Sequence, residues 1–119
     1  MNAQSLELCA LASHRFWYRA GGWVEQERSE YLLALTYNAL GRFEQAEAAA
    51  SRALNIIEAN GEERVDRAFI HVEAARAARK LGKQEASENS LEIANRLASE
   101  FNEDGLREWF DQCSKRMDD

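Results

Sequence analysis

The chain has 119 residues, 45% of them hydrophobic and 30% charged, with no proline and two cysteines. That is enough apolar material for one domain to build a core without metal or disulfide staples, and it argues against a disordered chain. Fifteen Lys and Arg against twenty-one Asp and Glu leave a net charge of −6, a field that repels phosphate backbones and disfavours nucleic acid as a partner.

Without proline, glycine and asparagine must punctuate the chain. Ser5 to Tyr18 places Leu6, Cys9, Leu11, Ala12, Phe16 and Trp17 at helical steps, and Gly21-Gly22 ends that helix. Trp23 to Leu40 forms a second, with Leu32, Leu33, Leu35, Tyr37, Ala39 and Leu40 on a broad apolar side and Gly41 as its C-terminal stop. Phe43 to Ala59 follows, with Ala46, Ala50, Ala53, Leu54 and Ile57 at three- and four-residue steps, and Asn60-Gly61 closes it. Glu62 to Leu81 repeats the scheme through Val65, Ala68, Phe69, Val72 and Ala75 before Gly82. Lys83 to Phe101 does so through Ala86, Ser90, Leu91, Ala94 and Leu97. A last helix is expected from an Asn102 N-cap, with Glu103 and Asp104 in its first turn, through Leu106, Trp109, Phe110 and Cys113 toward Met117, leaving Asp118-Asp119 to fray. Such short turns force antiparallel neighbours, and no segment alternates in the two-residue manner of a strand.

Cys9 and Cys113 show neither CxxC nor histidine spacing, so they read as buried small apolar residues in a reducing compartment. The stretch from Met1 to Ala12 has no basic start and carries Glu7, so it does not read as a signal peptide, and no apolar run reaches membrane-spanning length. The expectation is a cytoplasmic protein without membrane contact, metal or cofactor.

Comparison of the chain with itself shows Leu40-Gly41-Arg42 recurring as Leu81-Gly82-Lys83, an offset of 41 residues. The same step relates Ala34 to Ala75, Glu44 to Glu85, Ala50 to Leu91 and Ala53 to Ala94; backwards, it takes Ala50 to Cys9, Ala53 to Ala12 and Ile57 to Phe16. The predicted organisation is a single domain over 1–119: a half repeat at 3–20, repeats at 23–61 and 62–102, and a capping helix at 103–117. Residues 33–54, LALTYNALGRFEQAEAAASRAL, resemble the tetratricopeptide repeat motif, with Leu33, Ala34 and Tyr37 on its first helix, Leu40-Gly41 at its turn and Ala46, Ala50 and Ala53 on its second. The second copy resembles it through His71, Ala74, Ala75, Ala78, Leu81-Gly82, Ser87, Leu91 and Ala94. Glu30 and His71 stand where that family often has Trp, and Glu58 and Ser99 where it often has Pro; the long offset resembles its long-helix members. The resemblance implies an all-α, superhelical stack of about six antiparallel helices, with the first helix of each repeat lining a concave groove.

Aligned on the turn glycines, that groove would present Tyr31, Leu32, Leu35 and Asn38 from one repeat and Phe69, Val72, Glu73, Arg76, Arg79 and Lys80 from the next. The segment from Glu73 to Lys83 holds four basic residues and one acidic, a local +3. The expected function is therefore a protein-protein interaction module, an adaptor, chaperone-like holder or regulator, that seats a protein or acidic peptide on Tyr31, Leu35, Asn38, Phe69, Val72, Arg76, Arg79 and Lys80. A basic last turn that merely complements the helix dipole is the plainer account of the same charges. The alternative function is structural: a homodimer or other assembly joined through the aromatic end at Phe16, Trp17, Tyr18 and Trp23, rings that otherwise cap the stack. His14 and His71 lie on different helices, away from metal-ligand spacing, and read as packing residues. No nucleophile has an activating partner, so an enzyme is not expected.

Overall fold

Glycine and short polar turns divide the described residues into six helices: α1 (Ala3–Ala20), α2 (Trp23–Ala39), α3 (Phe43–Asn60), α4 (Arg64–Lys80), α5 (Gln84–Ala98) and α6 (Asp104–Lys115). The structure, a computed structural model, describes residues 2–101 and 104–115, and no strand occurs among the described residues. The expected N-cap Asn102, the first-turn Glu103, and the end at Met117 with its frayed Asp118-Asp119 lie outside the described residues. No helix among the described residues is long and apolar enough to cross a membrane.

Two of the turns share one chemistry. Gly41 and Gly82 take φ of +75° and +80°, the left-handed conformation that glycine adopts without a Cβ penalty. The amide of Gly41 donates to Asn38 O and that of Arg42 to Tyr37 O; Gly82 and Lys83 repeat this on Arg79 O and Ala78 O. Both helices thus end in a Schellman motif that satisfies their last carbonyls and folds the chain straight back.

Packing follows chain order: α1 on α2, α2 on α3, α3 on α4, and α4 on α5, with α2 also touching α4 and α6 resting on α4. Leu33, Ala34 and Tyr37 of α2 meet Ala46, Ala49, Ala50, Ala53 and Ile57 of α3, joined by Ile70 and Ala77 of α4. All five α3 residues are fully buried, and four of them are alanines, so the helix axes approach closely with almost no side-chain entropy to lose. Ala53→Leu should overpack this contact and cost about 1 to 3 kcal/mol, read from the midpoint of a denaturant melt. A second cluster joins Ala68, Phe69 and Val72 of α4 to Ala94 and Ala98 of α5 and Phe110 of α6.

The offset of 41 residues relates some buried positions as well as sequence, although Ser90 and Leu91, counterparts of buried Ala49 and Ala50, are only half-buried. Ala46, Ala53 and Ile57 of α3 are buried, and so are their counterparts Ser87, Ala94 and Ala98 of α5. Ser87 Oγ donates to Ala75 O at 2.8 Å, seating α5 on α4 where Ala34 seats α3 on α2.

The expectation for the cysteines is corrected here. The apolar face of the first helix is not core: α1 has no buried residue, and Leu6, Leu11, Ala12, Phe16 and Trp17 are exposed. Cys9 shares that face and is exposed, while Cys113 is half-buried, so neither is the deeply buried thiol expected. On α2, Leu32 is exposed, as a groove-facing residue would be, Ala39 is exposed too, and the buried side carries Glu27, Glu30 and Asn38 beside Leu33, Ala34 and Tyr37.

Candidate protein-interaction surfaces

The residues expected to line a concave groove meet around α2 and α4, but α6 lies over part of them. Phe69 and Val72 are buried in one cluster with Phe110, whose ring stands edge-on to Phe69 at 5.6 Å and to Phe101 at 5.9 Å. Tyr31 is half-buried between the two clusters; burial first, then the Glu73 charge, holds its hydroxyl well above the usual phenol range. Asn38 is buried, and its Nδ2 donates to Glu73 O at 3.1 Å and Glu73 Oε1 at 3.0 Å. Arg76 points inward: Nη1 donates to both oxygens of the buried Glu73 at 2.7 Å, and Nη2 to Cys113 O of α6 at 3.3 Å. Leu35 is half-buried, and Arg79 and Lys80 are exposed.

Of the four basic residues of that segment, Arg76 and Lys83 are engaged within the chain, and Arg79 and Lys80 are exposed. Arg76 is held by Glu73, and Lys83 Nζ donates to Glu47 Oε1 at 2.8 Å. Removing Arg76 strands a buried carboxylate, whereas Lys80 is exposed to solvent. Arg76→Ala should thus cost about 2 kcal/mol and Lys80→Ala less than about 0.5 kcal/mol, compared by urea melts.

Two further carboxyls are buried on α2. Glu30, with no exposed surface, accepts Arg52 Nε from α3 and pairs with His14 Nε2 of α1, so one side chain ties three helices. Glu27, equally buried, lies beside Asp66 of α4, which accepts Arg28 Nε at 2.9 Å. Burial, then the hydrogen bond and charge of Asp66, push the Glu27 carboxyl up to about 9, so at neutral pH it is a protonated acid able to donate to its neighbour. His71 is half-buried and shifted down, by burial first and by Arg67 second, which favours its neutral form. Among the described residues no group of three His, Cys, Asp or Glu could hold a metal ion.

An exposed apolar surface lies on α1. Leu8 and Phe16 are 60% and 59% exposed, and with Leu11 and Ala12 they line one depression on α1, flanked by Arg15 and Arg19. Trp17 stands edge-on to Phe16 at 5.2 Å, and Tyr18 is exposed on the same helix. Trp23 is different: it packs half-buried against the first core cluster, so the aromatic end divides into an outer α1 face and an inner tryptophan.

No protein-family model matches the chain, nor does any curated protein or solved structure. The functional reading accordingly stands on the chain's own residues.

Proposed function

We propose that this chain is a protein-protein interaction module of the tetratricopeptide-like, superhelical kind, and that it binds a helical segment of a protein partner on the outer face of α1. The observation that carries this reading is the contiguous exposure of Leu8, Leu11, Ala12 and Phe16 along one helix of an otherwise charged surface. Water-exposed apolar area of this kind gains by being covered, while Arg15 and Arg19 at its edge favour an acidic flank on whatever covers it. A helix laid along α1 would present its own apolar stripe at the same three- and four-residue steps. The concave side is the less favoured surface: a peptide reaching Phe69 and Val72 would first have to displace Phe110. No catalytic residue, cofactor or metal enters this reading.

The test is a photo-crosslinking phenylalanine analogue at position 16, used in native cell extract, with the same analogue at exposed Glu58 as control. Crosslinks specific to position 16 and abolished by Leu8→Asp support α1 as the contact surface. Equal crosslinking at both positions, or none, overturns it.

A further inference from the structure

We infer that the occupant of the α1 face is α6 of a second copy, so that copies of this chain stack head to tail. This rests on the reading of α1 as a docking face and names what docks there.

α3 and α5 are the second helices of their hairpins, and their buried positions Ala46, Ala53, Ile57 and Ser87, Ala94, Ala98 face a first helix. One offset earlier, the same positions on α1 are Ser5, Ala12 and Phe16; Ser5 is half-buried and the other two are exposed. Thus α1 is a second helix whose first-helix side is uncovered among the described residues. α6 has the converse relation. One offset after α4, Leu106 stands for Val65, Trp109 for Ala68, Phe110 for Phe69 and Cys113 for Val72. Phe110 is buried as Phe69 is, and Leu106 half-buried as Val65 is, so α6 docks as the first helix of a further repeat. Ala68, however, is fully buried against Ala94 and Ala98 of its second helix, whereas Trp109 keeps 50% of its surface exposed. The exposed side of α1 therefore matches a first helix, and the exposed side of α6 a second helix.

The arrangement of α4 with α5, widened to admit larger side chains, would set Trp109 beside a neighbour's Ala12 and Phe16, the counterparts of Ala94 and Ala98. Charge agrees with this pairing. Arg67 of α4 lines one cavity with Ile93 and Leu97 of α5. The counterparts are Glu108 on α6 and Leu11 and Arg15 on α1, so the contact brings opposite charges together beside an apolar seam. The two patches differ, so the contact is heterologous: it leaves one free α1 and one free α6 at the ends, and stacks grow beyond a dimer.

The test is sedimentation of the 119-residue chain from micromolar to millimolar concentration. The wild-type weight-average mass should rise with concentration without stopping at a dimer. Phe16→Asp and Trp109→Asp, checked for retained helicity by circular dichroism, should each weaken association at least about tenfold. An equimolar mixture of the two should recover association and stop at the dimer, because it holds one intact α6 and one intact α1. Arg15→Glu mixed with Glu108→Arg serves as a milder second pair, in which reversing both charges restores what either change alone weakens.

A wild-type chain that stays monomeric throughout overturns the inference. So does a dimer lost in Phe16→Asp but kept in Trp109→Asp, which would mean a symmetric pairing of two α1 helices. A monomeric chain whose position 16 crosslinks another protein overturns self-stacking while leaving α1 as the docking face. Neither association nor crosslinking would overturn both readings.

Discussion

Phe110→Ala should cost about 3 to 5 kcal/mol of the stability of the second cluster, the loss expected when a buried aromatic ring is cut back to a methyl group. Phe110 is almost fully buried and stands edge-on to both Phe69 and Phe101, so its removal takes away two ring contacts and leaves a hollow between α4 and α5. Besides this ring, α6 is fastened by half-buried Leu106 and Cys113 and by the bond from Arg76 to Cys113 O. The first result of the substitution is therefore the undocking of α6 as a unit. Hydrogen exchange should show α6 amides losing protection while those of α2 and α3 keep theirs, with a lower urea midpoint beside it. Unchanged protection in α6 would mean that the helix is held by something other than this ring.

Glu27→Gln should act in the opposite direction and stabilise the protein at neutral pH. The folded carboxyl is pushed up to about 9, while in the unfolded chain it ionises near its ordinary value of 4.5. Below that lower value both states carry the proton and nothing is lost. Between the two values the unfolded chain gives up a proton that the folded chain retains, so stability falls by about 1.4 kcal/mol per pH unit and levels off above the folded value. Gln cannot ionise and keeps a donor toward Asp66, so the variant should exceed wild type by about 3 kcal/mol at pH 7 and match it near pH 4. Chemical denaturation across this range is the measurement. A variant less stable than wild type at pH 7 would mean that Glu27 is ionised and works through Arg28.

Helix number and the turns at Gly41 and Gly82 were legible because glycine is the only strong punctuation in a proline-free chain. The alanine contact between α2 and α3 was legible because small residues recur at one fixed offset. What escaped was the buried charge. Glu27 and Glu30 lie on the same three- and four-residue stripe as Ala34 and Tyr37, and that spacing was the available signal. A carboxylate still reads as surface until its partners are known, and those of Glu30 stand 16 and 22 residues away on other helices. Arg76 was misleading for the same reason, since its composition suggested an open cationic strip while its geometry closes on Glu73. The apolar face of α1 was legible, but its exposure was not: periodicity shows that one side of a helix is apolar, not whether anything in the same chain covers it.

The order in which the helices pack also bears on how the chain reaches its fold. Nearly every extensive contact joins helices adjacent in sequence, and the Schellman turns at Gly41 and Gly82 bring them together over a few residues. Little loop entropy must then be lost before packing begins, so the search is short and refolding should fall in roughly the microsecond to millisecond range of helical bundles. The hairpin of α2 and α3, with its alanine seam, is suited to nucleate it. α6 rests mainly on α4 and not on its sequence neighbour, and should join late, once α4 and α5 have built the floor on which Phe110 settles.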